Sequence, residues 1–234
     1  MTISLIHVNP ETGYAASICA TGGVSVGGYV NHSWRELGAC ATQGLFTNPW
    51  YAEKAKKLLQ QGLSAHQVIE TLISEDDGHP QRQCMIMDMK GSSAFLNGSE
   101  NIPYVGSIAF PHIAVAGNML ASEDVLEAFV CSFVELVCKN PLEVIHAGAV
   151  PEYKHDYELS LPEHLITALE TALNVGGDKR GTYSASLRVE SPSTAPIDVR
   201  VDWSDDQLIK DMRLVLSHVR SAGFSEFLSQ LPKA

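Results

Sequence analysis

Ile3-Ser4-Leu5-Ile6-His7-Val8, then Asn9-Pro10-Glu11-Thr12-Gly13, then Tyr14-Ala15-Ala16-Ser17-Ile18-Cys19-Ala20 is the stretch on which the fold turns. Two short apolar runs flank a link in which Pro fixes one φ and Gly supplies a positive one, so the segment reads as an N-terminal β-hairpin. The glycine pairs Gly22-Gly23 and Gly27-Gly28, followed by Gly38 to Gln43, predict more extended chain with close backbone approach. Asn48-Pro49 opens a helix running to about Gln60, and Ser64 caps a second one carrying Val68, Ile69 and Leu72 on one face. Strand signals return at Cys84–Met89, Ser93–Leu96, Tyr104–Ala109 and Ile113–Ala116, which read as an antiparallel meander.

Farther along, Ser122 begins a long apolar-faced helix ending near Cys138, and Pro162 begins another that stops at Gly176-Gly177. Strands follow at Tyr183–Val189 and Ile197–Val201, and helices at Asp205–Val219 and Phe224–Leu231 close the chain. Strands and helix pairs in this order are satisfied by two stacked antiparallel sheets, each with one face on the other sheet and one on helices. The expectation is therefore an α+β fold, a four-layer α-β-β-α sandwich. No Pro/Gly/Ser-rich or charge-rich linker divides the 234 residues, so residues 1–234 are read as a single domain.

Composition narrows the partners. With 16 basic residues against 27 acidic ones the formal charge is −11, a field that repels phosphate backbones and anionic lipid headgroups. The longest apolar stretch, around Val125 to Val137, is broken by Glu127, Ser132 and Glu135 and is shorter than the ~20 residues a bilayer span needs. Neither nucleic acid nor membrane is an expected partner. Met1-Thr2-Ile3-Ser4 shows no basic leader, and Cys19, Cys40, Cys84, Cys131 and Cys138 are scattered without a C-x-x-C pair. Both features predict a cytoplasmic protein with reduced thiols.

Several stretches resemble one family, the bacterial domain of unknown function 1028. They are Met1-Thr2-Ile3-Ser4, the Asn9 to Gly13 turn, Ala41-Thr42-Gln43, Thr47-Asn48-Pro49 and Gly117-Asn118-Met119-Leu120. Gly176-Gly177-Asp178-Lys179-Arg180-Gly181, Ser184-Ala185 and Asp198-Val199-Arg200-Val201-Asp202 complete the set. Members of that family are similar in fold to N-terminal-nucleophile hydrolases, so the resemblance implies that architecture. It brings no activity with it. Cys19-Ala20-Thr21-Gly22-Gly23 departs from the Ala-Ser-Lys type expected there, and a lysine that would tune a nucleophile is absent from the stretch.

Thr2 is the candidate nucleophile. Removal of Met1 would leave a threonine with a free α-amine, whose reference pKa of about 8 lets it accept the Oγ proton without a histidine. Threonine is also favoured at the start of an ordinary edge strand. A developing oxyanion would need a preorganised donor, for which Asn118 beside Gly117 is the candidate, or else a turn brace. Thr42, Gln43 and Asn48 offer neutral hydrogen-bonding groups for substrate where a strand gives way to a helix, although Asn48 also suits an N-cap.

In the loop Gly176 to Gly181 the glycines free the backbone to wrap a small anion, Arg180 can bind a carboxylate, and Asp178 can orient it or a water. A structural ion pair of the same two residues is the plainer alternative. Thr182 follows Gly181 without a lysine, so this is no P-loop. The nine histidines form no H-E-x-x-H motif, and neither a metal nor another cofactor is expected. Cys19 or Cys40 would act as a nucleophile only with a base beside it. Two functions follow: a cofactor-free hydrolase of small, anionic amide or acyl compounds, or a non-catalytic binding protein for a small carboxylate metabolite. Self-association is the remaining expectation.

Overall fold

The computed structural model describes residues 2–232. β1 (Thr2–Asn9) and β2 (Tyr14–Thr21) form the expected hairpin, paired antiparallel from Thr2 with Thr21 to Asn9 with Tyr14. Its turn needs glycine at Gly13, where φ is +75° and an added Cβ would lie 2.9 Å from Glu36 and Pro192. β3 (Asn31–Trp34), β4 (Gly38–Gly44), β5 (Arg82–Asp88) and β6 (Ser93–Asn97) make a four-stranded sheet in that order. β7 (Gly106–Phe110), β8 (Ile113–Asn118), β9 (Ser184–Glu190) and β10 (Ile197–Val201) join the hairpin in a six-stranded sheet, ordered β10-β9-β2-β1-β8-β7. Neighbouring strands in both sheets are antiparallel.

The meander expected between Cys84 and Ala116 is therefore split: after β6 the chain leaves the small sheet and begins the edge of the large one. Local pairing signals are identical for the two outcomes, and which sheet a strand enters is settled by long-range packing. β1 is central, so Thr2 does not open an edge strand.

Seven α-helices are found among the described residues. α1 (Tyr51–Gln60) starts two residues after Pro49, because Asn48 Oδ1 accepts the Trp50 N–H in a turn that precedes the helix. α2 (Ala65–Ser74) has a capping box, Ser64 with Gln67. α3 (Asp124–Val137) and α5 (Leu161–Asn174) match the expected long helices, and α4 (Pro141–Ala147) lies in what the sequence presents as a long connection. α6 (Leu208–Val219) and α7 (Ala222–Ser229) end the chain.

Three apolar clusters locate the core. Ile3, Leu5, Ile18, Phe129, Leu165 and Met212 belong to the one between the large sheet and α3, α5 and α6. Ile6, Val8, Ala41, Met85, Met87 and Ala114 belong to the one where the two sheets face each other. Cys40, Ala55, Leu59, Val68, Leu72 and Ile86 belong to the one between the small sheet and α1 and α2. Each fully buried Leu, Ile or Phe contributes about 1.5–3 kcal/mol. Because successive side chains alternate, β1 sends Ile3 and Leu5 to the helices and Ile6 and Val8 to the other sheet, which explains its unbroken burial.

Candidate functional site

Thr2 begins β1 in register with Thr21, the last residue of β2, and with Asn118, the last of β8. By the alternation all three side chains point toward the small sheet. They are 8%, 7% and 1% exposed, and Thr2 Oγ1 donates to Thr21 Oγ1 at 3.2 Å. From the small sheet, Gln43 Nε2 donates to the Thr2 carbonyl oxygen at 3.2 Å and to Gln83 Oε1 at 2.7 Å. Gln83 Oε1 also accepts from Asn118 Nδ2 at 2.9 Å, while Ser4 Oγ donates to Gln43 Oε1 at 2.6 Å. Gln83 Nε2 donates to the Gly117 carbonyl at 2.9 Å. Two buried neutral glutamines thus join the sheets beside Thr2 without introducing a charge. Gln83 escaped the sequence reading. A glutamine sharing the β5 face of Met85 and Met87 was the available signal.

The loop after α5 crosses this end of the large sheet. Gly176 and Gly177 take φ values of +139° and +49°, conformations glycine adopts without steric penalty. The loop is fastened on the β8 side by Ala121 N–H donating to the Gly177 carbonyl at 3.1 Å and by a bridge between Leu120 and Asp178. Lys179 Nζ adds a bond to the Pro103 carbonyl at 3.0 Å. On the β2 side, Gly22 N–H donates to Asp178 Oδ2 at 2.7 Å and Tyr183 N–H to the Thr21 carbonyl at 2.9 Å. Since β1 lies between β8 and β2, the loop passes across the head of β1. A Cβ on Gly22 would fall 2.6 Å from the Gly181 carbonyl oxygen and 2.7 Å from Asp178 Oδ2, so only glycine fits. The Asp178 side chain is fully buried and accepts the Arg180 N–H at 2.7 Å and its guanidinium at 3.1 Å, whereas the Arg180 side chain is 46% exposed. The two residues form an ion pair with a buried carboxylate and a half-exposed guanidinium.

Thr2, Gln43, Asn118, Asp178 and Arg180 are thus brought to one end of the molecule. Thr42 and Asn48 are not part of that group. Thr42 adjoins Gln43 but points to the opposite face, the side of Cys40 and α1, where its Oγ1 donates to the Asn48 carbonyl at 3.0 Å. Asn48 Nδ2 donates to Asp76 Oδ2 at 3.1 Å, beside Tyr51 Oη at 2.7 Å and Arg82 Nε at 3.0 Å. Burial pushes the Asp76 carboxyl up, but the bonds from Arg82, Asn48, Tyr51 and Gly78 outweigh it and hold the group below the usual carboxylate range. Asn48 braces this node, which locks the start of α1 to β5. Met1, whose removal the Thr2 reading requires, lies outside the described residues.

Among the described residues, no base is bonded to either cysteine named as a nucleophile. Cys19 Sγ donates to Asn31 Oδ1 at 3.1 Å, and burial drives its thiol upward; burial and then Cys84 do the same to Cys40. Among the described residues, no three His, Cys, Asp or Glu side chains converge as metal ligands, and no helix is long and apolar enough to cross a membrane. His7 is fully buried at the other end of β1, and burial lowers it from 6.5 to about 4.

A family of unknown function (DUF1028) matches residues 2–211. The crystal structure of protein SPO2555 from Silicibacter pomeroyi, labelled with the same family, is similar with a TM-score of 0.84 and 27% identity, over 99% of this chain and 92% of that one. Anbu (ancestral beta-subunit) from Yersinia bercovieri gives a TM-score of 0.38 at 9% identity, over 100% of this chain and 99% of that one, a likeness too slight to bear on the fold. No curated protein matches the chain. This chain belongs to the family of unknown function DUF1028.

Proposed function

We propose that the chain is a cofactor-free hydrolase of small amide or acyl compounds in which Thr2, made N-terminal by removal of Met1, is the nucleophile. The observation that carries the reading is the position of Thr2: first in a central strand, between Thr21 and Asn118, with Gln43 of the facing sheet bonded to its carbonyl. In this reading the helix, sheet, sheet and helix layers are those of the N-terminal-nucleophile hydrolases.

The α-amine of Thr2 takes the Oγ1 proton as the oxygen attacks the substrate carbonyl. At rest that proton is given to the Thr21 hydroxyl 3.2 Å away, and the Thr2 hydroxyl turns it to the amine as attack begins. Asn118 gives one Nδ2 hydrogen to Gln83, and its other N–H is the donor assigned to the oxyanion. Collapse breaks the C–N bond, the amine leaves with the proton, and water then hydrolyses the threonyl ester. Asp178 holds Arg180 in place to receive an anionic end of the substrate. The proposal takes the enzyme to be cytoplasmic and able to self-associate, the latter measurable by light scattering.

Intact mass of the untagged protein must show loss of Met1; quantitative retention removes the mechanism. Against a panel of acyl amides, Thr2→Ala loses about 10³-fold or more in turnover, whereas Thr2→Ser retains a measurable fraction. Equal rates for Thr2→Ala and the parent would refute the assignment. One observation favours a second reading, a binding protein for a small carboxylate: the Thr2 hydroxyl is already bonded within the protein, while Arg180 remains half-exposed. Ligands that raise Tm without turnover would support it.

A further inference from the structure

The loops leaving the Thr2 end of the two sheets expose large apolar side chains: Val24 (64%), Phe46 (61%), Trp203 (53%), Ile102 (43%) and Leu45 (38%). Each is tied to the candidate site by chain or hydrogen bond. Val24 is three residues beyond Thr21. Leu45 and Phe46 follow Gln43, the residue bonded to the Thr2 carbonyl. The Ile102 carbonyl accepts the Met119 N–H, next to Asn118, at 2.8 Å. Trp203 stacks at 4.9 Å on Tyr183, whose N–H is bonded to the Thr21 carbonyl.

These side chains stand on anchored backbone. Leu45 N–H donates at 2.7 Å to Asn101 Oδ1, and the buried Asn101 is itself bonded to the Arg82 and Gly98 carbonyls. The Leu45 backbone is therefore fixed before any ligand arrives. Five of the fifteen exposed large apolar side chains among the described residues stand on loops at this one end of the sheets, and apolar surface beside a candidate nucleophile suits a carbon chain. The same rim carries Lys179, tied to Pro103 beside Ile102, and Arg180, whose carbonyl is held by the Tyr183 hydroxyl. Arg180 is balanced by Asp178, so Lys179 leaves the loop one net positive charge on a chain of net charge −11, a local place for an anion on a surface otherwise repelling anions.

We infer that the substrate class is an N-acyl amino acid: an apolar acyl chain lies along Phe46, Leu45, Ile102 and Val24, and the amino-acid carboxylate meets Lys179 and Arg180. The inference rests on the Thr2 reading of the previous section. The reaction is N-acyl amino acid plus water giving a carboxylic acid and a free amino acid, with the acyl group carried in between as an ester on Thr2 Oγ1.

The experiment uses a small β-lactone, whose carbonyl Thr2 Oγ1 attacks; the ring C–O bond breaks, the released alkoxide takes the proton, and the protein gains the full mass of the lactone. Peptide mapping locates the adduct, and N-octanoylglycine, N-acetylglycine and N-octanoylglycinamide are compared as protectants. A fully buried methylene is worth a factor of about 4 in affinity, so even partial burial of the octanoyl chain gives protection at concentrations at least tenfold below those of N-acetylglycine. The uncharged amide is likewise at least tenfold weaker than the acid. Phe46→Ser, an exposed change, narrows the gap between the octanoyl and acetyl compounds. No adduct at Thr2 under any condition overturns the nucleophile reading and the inference with it. An adduct formed with equal protection by the octanoyl and acetyl compounds overturns the acyl wall alone, and equal protection by acid and amide overturns the carboxylate contact. If Phe46→Ser instead lowers the mass in solution without altering the octanoyl preference, the wall is a contact between copies and the inference is wrong.

Discussion

His7 makes the stability of this protein fall with acid, over a range set by its burial. Its Nδ1 lies 2.9 Å from the His112 carbonyl oxygen and its Nε2 3.0 Å from Tyr157 Oη. A carbonyl only accepts, so Nδ1 carries the hydrogen and Nε2 accepts from the tyrosine: the neutral ring is fully satisfied. Phe133, Tyr153 and Tyr157 close around it with ring centroids at 5.4, 5.6 and 5.8 Å. Burial lowers the imidazole from 6.5 to about 4, against a smaller opposite effect from the His112 carbonyl. Below 6.5 the unfolded chain binds a proton that the folded chain refuses, so stability is complete above that pH and is lost as pH falls toward 4. At about 1.36 kcal/mol per pH unit, the window corresponds to about 3 kcal/mol. Urea unfolding at pH 7, 6, 5 and 4.5 measures it, with His7→Phe as the control. The variant loses about 1–3 kcal/mol at pH 7 from two broken bonds, but its stability declines less steeply with acid. His32 and His164, also lowered by burial, contribute to both proteins and cancel in the difference, whereas His112, whose charge adds to the lowering of His7, is coupled to it and belongs to the measured effect. Parallel pH profiles for parent and variant would refute the reasoning.

Gln83→Leu takes the acceptor from the buried Asn118 amide, while Gln43 keeps the Thr2 and Ala116 carbonyls, and is expected to destabilise by about 2–4 kcal/mol; a Tm unchanged from the parent would contradict that. Gly22→Ala forces a methyl against the Gly181 carbonyl and Asp178, which we expect to speed hydrogen exchange at the Gly22 and Arg180 amides and to destabilise by about 1–3 kcal/mol; unaltered exchange would show that the loop yields freely. Phe129→Ala, in the fully buried helix-side core, should lower unfolding free energy by about 3–5 kcal/mol, and a loss below 1 kcal/mol would mean the site collapses around the cavity.

Periodicity and caps were enough for the local elements. The Asn9 to Gly13 turn, the Ser64 cap and the apolar spacing of α3 and α5 act between residues near in sequence, and each appears where the pattern puts it. What escaped depends on pairing across the molecule. β6 and β7 carry the same strand signal, yet belong to different sheets. Thr42 and Gln43 are neighbours and equally polar, but the pleat sends one toward α1 and the other toward Thr2. Asn48 is drawn to Asp76, twenty-eight residues away, a partner no local rule selects. Gln83 reads as one more polar residue ahead of an apolar strand until the register sets it between Gln43 and Asn118. The convergence of Thr2 with Asn118 and Asp178 is likewise a product of strand order, invisible to spacing.

The late position of β8 and the 176–183 loop in the chain has a consequence for how the protein is made. A nascent chain grows at roughly 5–20 residues per second, so the loop that crosses the head of β1 leaves the ribosome roughly ten to thirty seconds after Thr2 does. For roughly the first two thirds of that interval β1 lacks its β8 neighbour, and for all of it the loop. The hairpin of β1 and β2 therefore waits with one edge of β1 unpaired, and the sheet end that holds Thr2 is framed on both flanks only when the loop arrives.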